Sequence, residues 1–201
     1  MMMNFGNGSS MFGGGGTMYA GWGQDLIFGS NGVDTVVFPG MHRDFQVVNA
    51  TWGSSVAGAG GLIADTLFNV ERLQFSDMNL AFDAAAMNTA RIIGAAFGAD
   101  QIQPALTGMG IALFDQGMSM HEVAGIALGA MGGHMSNQEF VTALYTNVVG
   151  QAPDGASLAY YMDMLDQGTS MADMLLLAAN SDANAQHIGL VGMMMNGLEY
   201  V

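Results

Sequence analysis

The chain is 201 residues long, carries 3 Lys+Arg against 17 Asp+Glu for a formal net charge of −14, and has no cysteine. That balance excludes a nucleic-acid groove or an attraction to anionic lipid, and the missing thiols exclude disulfides, thiolate zinc sites and cysteine nucleophiles. Only 10% of residues are charged while 51% are hydrophobic and 20 are methionine. An ordinary globular chain is about 25% charged, so much of this surface must be uncharged polar, glycine, or buried against something else.

From the amino terminus, MMMNFGNGSS has neither a basic region nor an apolar core, so no secretory leader is expected. Without a run of about 18 apolar residues, no transmembrane segment is expected either. A cytoplasmic protein and one exported without an amino-terminal leader both fit. Residues 1–19, with Gly13 to Gly16 in a row, read as a flexible Gly/Met-rich arm. Residues 20–80 form a β-rich region of short β-branched or aromatic runs between glycines: Leu26-Ile27-Phe28, Thr35-Val36-Val37-Phe38, Phe45-Gln46-Val47-Val48 and Leu73-Gln74-Phe75. The stretch 53–61 reads as a loop or hairpin tip.

A nine-residue period runs through the first of these strands. Gly23 matches Gly32, Asp25 matches Asp34 and Ile27 matches Val36. This is the G-G-x-G-x-D-x-U-x pattern of a parallel β-roll, in which glycine permits the turn, aspartate supplies hard oxygen and the U position is buried. It resembles the RTX calcium-binding repeats of bacterial secreted proteins. The resemblance implies Ca²⁺ as cofactor, with Gly23, Asp25, Gly32 and Asp34 as the calcium turns. In such a roll, turns on one edge lie 18 residues apart. Gly16 precedes Asp34 and Arg43 follows Asp25 at that distance, so neither neighbouring turn is expected to add a second carboxylate. Further on, Asp65-Thr66-Leu67-Phe68-Asn69-Val70-Glu71-Arg72-Leu73-Gln74-Phe75-Ser76-Asp77 resembles the strand-rich segment that follows RTX repeats.

Residues 81–201 switch to helical periodicity, for instance Phe140, Val141, Leu144, Tyr145 and Val148 on one face. Capping-box patterns begin at Ser119-x-x-Glu122, Ser136-x-x-Glu139 and, with a shorter acid, Ser170-x-x-Asp173. Six or seven helices are expected, in two similar units at about 88–130 and 139–180. Asp115-Gln116-Gly117-Met118-Ser119-Met120 recurs 51 residues on as Asp166-Gln167-Gly168-Thr169-Ser170-Met171. Gly98 matches Gly150, and Leu106 matches Leu158, at 52. The expected class is therefore α+β, a short β-roll region followed by an all-α domain. Phe140-Val141-x-x-Leu144-Tyr145-x-Asn147-Val148-x-Gly150-x-x-Pro153-Asp154 with Leu158-x-Tyr160-Tyr161 resembles the bacterial helical domain of unknown function 4214. This copy has Gln151 where that family usually has arginine and Tyr161 where it usually has tryptophan.

Signs of an enzyme are thin. His42, His121, His134 and His187 show no H-E-x-x-H spacing, Ser54, Ser55 and Ser136 lie in no nucleophile elbow, and Gly13 to Gly16 lack the lysine of a P-loop. The methionine triplets Met1–Met3 and Met193–Met195 are soft copper(I) ligands in type, but methionines spread over every helix read better as adaptable apolar filler. The resemblances imply export by the type 1 route. The reading that results is a secreted or cell-surface structural protein, not an enzyme, that self-assembles as a homo-oligomer or polymer into a filament or surface layer. The alternative is a monomeric calcium-responsive binding or adhesion module.

Overall fold

The computed structural model describes residues 2–3, 8–50, 52–132 and 135–201. Of the sequence features singled out above, His134, Met1 and residues 4–7 of the amino-terminal arm lie outside them. The chain divides into two compact units, one of Met1–Asp83 with Gly192–Val201 and one of Ala84–Val191. The class is α+β.

The first unit is built from strands of mostly three residues, several of which bury only their central side chain. They are β1 (Met2–Met3), β2 (Ser10–Phe12), β3 (Thr17–Tyr19), β4 (Leu26–Phe28) and β5 (Thr35–Val37), then β6 (Phe45–Ala50), β7 (Gly53–Gly58), β8 (Ile63–Phe68), β9 (Arg72–Gln74), β10 (Asn79–Ala81) and β11 (Leu198–Tyr200). One sheet runs β1-β3-β5-β9-β10-β11 and the other β2-β4-β8-β7-β6. From β1 to β5 successive strands alternate between the sheets, and β8 and β9 do so again, each pairing in parallel with the strand one coil away. The central residue of each strand therefore stacks in a column. Met11, Ile27 and Leu67 are in register, as are Met18, Val36 and Leu73, and all six are buried.

Two expectations change here. Residues 10–19, expected within a flexible arm, form β2 and β3, with Gly13 to Gly16 between them. The coil is hard to see in sequence because methionine occupies the inward position that Ile27 and Val36 fill with β-branched side chains. Residues 53–58, expected as a loop, form β7, which pairs antiparallel with β6 and β8. Its small residues reflect close packing: a Cβ at Gly58 would come 2.5 Å from a Phe45 ring carbon, and one at Gly53 would come 2.3 Å from the Leu67 carbonyl oxygen.

The tail also differs from expectation. β11 pairs antiparallel with β10, so residues 192–201 belong with the sheets rather than with the helices. Arg72 Nε and Nη2 both reach Asp83 Oδ2, at 2.9 and 2.8 Å, and the guanidinium lies over the Tyr200 ring. Both side chains are nearly buried, so breaking this pair leaves an uncompensated charge, a strongly destabilising change.

The second unit comprises α1 (Ala84–Phe97), α2 (Pro104–Asp115), α3 (Met120–Gly132), α4 (Asn137–Val149), α5 (Gly155–Asp166), α6 (Met171–Ala179) and α7 (Asp182–His187), with α8 (Leu190–Asn196) beginning at its end. Its core gathers Ile92, Ala95, Val123, Phe140, Leu144, Met174 and Leu175. The six helices α1–α3 and α4–α6 repeat one pattern. Gly98 and Gly150 end α1 and α4 with positive φ, and the α2 and α5 C-termini repeat hydrogen bonds 51 residues apart: Gly117 N–H to Phe114 O against Gly168 N–H to Leu165 O, and Met118 N–H to Leu113 O against Thr169 N–H to Met164 O. The N-caps of α2 and α5, Gln103 and Asp154, stand at the same spacing. So Leu158 aligns with Thr107 rather than Leu106, because the connection after Gly150 is one residue shorter than that after Gly98.

Candidate functional site

The turns that hold Asp25 and Asp34 are the best-defined polar constellation in the β unit. Gly23 and Gly32 adopt φ of 121° and 109°, a conformation that favours glycine. Two residues later, each aspartate turns into the roll: Asp25 is 1% exposed and Asp34 0%. Their carboxylates meet backbone amides of the preceding coil. Ser9 N–H donates to Asp25 Oδ1 at 2.9 Å, and Gly16 N–H donates to Asp34 Oδ1 at 3.0 Å. Asp34 Oδ2 also accepts from Ser30 N–H at 2.7 Å.

The same relation continues into the next coil through two acids that counting by 18 did not find. Asp25 N–H donates to Asp65 Oδ1, and Asp34 N–H donates to Glu71 Oε2, each at 2.9 Å. Two ladders result, Ser9–Asp25–Asp65 and Gly16–Asp34–Glu71, in which every carboxylate satisfies an amide that the turn would otherwise leave unpaired. The turns of the preceding coil contribute only the Ser9 and Gly16 amides, as expected at Gly16, but the following coil does add a second carboxylate to each ladder. The count missed them because Ile27 pairs with Leu67 and Val36 with Leu73, and the β6–β7 hairpin lies in the intervening chain. A repeated short phrase, Asp34-Thr35-Val36 against Asp65-Thr66-Leu67, would have found Asp65, whereas Glu71-Arg72-Leu73 carries no such mark. Close approach of the coils fixes the turn geometry: a Cβ at Gly29 would fall 1.7 Å from the Asn69 carbonyl oxygen.

Burial sets the electrostatics. It pushes the Asp65 carboxyl up to about 6, with the Asp25 charge adding to the rise and the Asp25 N–H bond opposing it. Burial likewise raises Glu71, opposed by the Asp34 N–H bond and reinforced by the charges of Asp34 and Asp83. Asp25 Oδ2 and Asp65 Oδ2 are buried without a hydrogen-bond partner.

Calcium takes six to eight oxygens. Here the Asp25 and Asp65 pair offers two unengaged carboxylate oxygens, both Asp34 oxygens are engaged by N–H donors, and among the described residues no group of three or more His, Asp or Glu is placed to hold a metal. Two such oxygens are too few by themselves, so a calcium ion at this pair would draw the rest of its shell from backbone carbonyls and water.

The other sequence candidates take local roles. His121 lies 3.4 Å from Asp173 at the surface, and Glu122 closes the capping box with Ser119. Ser136 and Glu139 form a second box. Ser170 accepts from Asp173 N–H, but the shorter acid bonds the Ser170 hydroxyl instead of its backbone N–H. Two further caps, Asp154 on α5 and Ser181 on α7, complete the set. His42 stands 4.0 Å from Glu199, and Ser54 bonds Asn49. No helix among the described residues is long and apolar enough to cross a membrane.

No curated protein and no solved structure matches the chain. A family model does match part of it: that of DUF4214, a domain of unknown function, matches residues 129–188, from the end of α3 through α7.

Proposed function

We propose that this chain is a secreted structural protein that self-assembles into an extracellular filament or surface layer. The observation that carries the reading is the aromatic column along the roll. Phe12, Phe28 and Phe68 stack with centroids 5.0 and 4.9 Å apart and planes within 10° of parallel. The column runs at the spacing of paired strands and ends on β2, the outer strand of its sheet, with Phe12 63% exposed. A strand from a second copy laid on β2 extends both the hydrogen-bond ladder and the aromatic column. A contact of that kind between unlike surfaces propagates into an open polymer. The resemblance of the nine-residue period to RTX repeats supports export by the type 1 route. Negative-stain electron microscopy of the purified full chain is expected to show polymers, and a field of monomers with and without Ca²⁺ would sink the reading.

The second reading, a monomeric calcium-responsive binding or adhesion module, is favoured by one observation, the partnerless buried oxygens of Asp25 and Asp65. Calorimetry separates the two. A module binds Ca²⁺ at the weak affinities of extracellular sites and stays monomeric while it does so.

A further inference from the structure

The helical unit has a half-open cavity of about 430 Å³ between α4, α5, α6 and the start of α7. Val141, Leu144, Val148 and Met174 are buried beneath it, and Tyr160 and Leu177, 63% and 54% exposed, stand at its mouth. The matched first unit explains how it arises. There α1 and α2 touch at Gly110, where a Cβ would come 2.4 Å from Thr89 Cγ2. With the helix caps aligned 51 residues apart, Gly110 corresponds to Tyr161. A full aromatic side chain at a position that leaves no room for a methyl group in the first unit holds α5 away from α4.

We infer that this cavity binds an uncharged, predominantly apolar small molecule with a hydrogen-bonding group at one end. Its volume falls at the small end of the range of ligand sites, which are mostly apolar with a few polar groups. No charged side chain lines it. An anion would find no cation there and a surrounding chain of net charge −14, and a cation would find no carboxylate, so either would lose hydration without compensation. On the far wall Ser181 Oγ donates to the Ala178 carbonyl, and Asn180 Nδ2 donates to that of Leu176. Asn180 Oδ1 and the tyrosine hydroxyls remain to meet the polar end of the ligand.

The test uses the full chain and the neutral fluorophore N-phenyl-1-naphthylamine. Saturable fluorescence enhancement is expected, weakened about tenfold or more by Ala178→Phe, which fills the space, and by Leu177→Asp, which sets a charge at the mouth. Circular dichroism checks that each variant is folded, and if Ala178→Phe is not, the half-exposed Leu177→Asp decides alone. Absence of saturable binding, or wild-type binding by the folded variants, overturns the inference.

Discussion

The two units use the same residue types, aspartate and glutamate, in opposite ways. In the ladders of the roll, carboxylates are buried or, at Glu71, half-buried and accept amides of the preceding coil, and desolvation raises Asp65 and Glu71. On the helices, Glu122, Glu139 and Asp154 sit in water at first turns, where hydrogen bonds from Ser119, Ser136 and Ser157 lower them. The contrast shows that a net charge of −14 has no single structural meaning. An acid holds long-range architecture together where its coil-mates are buried, and only a local helix start where they are not.

The largest expected effect tests whether the roll stands on its columns. Leu67 is fully buried near the end of β8, in register with Ile27. Leu67→Ala removes one end of the Met11–Ile27–Leu67 column and is expected to cost about 2–5 kcal/mol, read as loss of amide-exchange protection over residues 24–28 and 63–68. Equal loss across α4 and α6 would show that the units do not respond separately.

A second experiment sets the two classes of acid against each other by pH. The folded pKa of Asp65, about 6, stands above its ordinary value of 3.8, so the folded state holds the extra proton between those values. Its contribution to stability is present below pH 3.8 and lost as pH rises through 6; Glu71 acts in the same direction. The capping acids have lowered pKa values, so their contribution is present above the ordinary carboxylate range and lost as pH falls through the folded values. Titration from pH 4 to 7 is therefore expected to weaken exchange protection in β4 and β8 and not in α4. Asp65→Asn keeps an oxygen for the Asp25 amide while removing the charge, and should flatten the response of the strands. A slope unchanged by that substitution would remove Asp65 from the account. Asp25→Ala leaves the Ser9 amide without its acceptor, an expected loss of about 1–3 kcal/mol, measured by urea unfolding.

How much of this was legible in the sequence follows from the same contrast. Helix starts are local, so Ser119, Ser136 and Ser170 could be read three residues ahead, and the Asp-Gln-Gly turns repeat by hydrogen bonding as they do by letter. The columns of the roll are set by pairing across a distance. Gly23, Asp25, Gly32 and Asp34 announce a coil, but their partners Asp65 and Glu71 stand beyond a hairpin that no period predicts. β2 and β3 were hidden by methionine at the inward position, and the return of β11 by the absence of any local mark. Tyr161 could be read as a departure from the pattern of the family that the helical half resembles, but its consequence, a gap between helices, required Gly110 and Thr89 to be seen in contact.

The smallest effect sharpens the helical side of the comparison. In α4 the Ser136 hydroxyl accepts from Glu139 N–H and the Glu139 carboxylate accepts from Ser136 N–H, so two otherwise orphaned donors are satisfied. In α6 Ser170 accepts from Asp173 N–H, but Asp173, one methylene shorter, turns its carboxylate onto the Ser170 hydroxyl. Ser→Ala at either position removes one acceptor, an expected cost of about 1 kcal/mol. The second step differs. Glu139→Ala also frees an amide and should lower stability more than Asp173→Ala, whose carboxylate takes no backbone donor. Thermal denaturation of the four single variants and the two doubles measures the difference, because neighbouring groups that share a bond do not add. Larger coupling for Ser136 with Glu139 than for Ser170 with Asp173 is expected. The reverse order would mean that the short acid, together with His121 3.4 Å away, stabilises its helix by charge rather than by closing the cap.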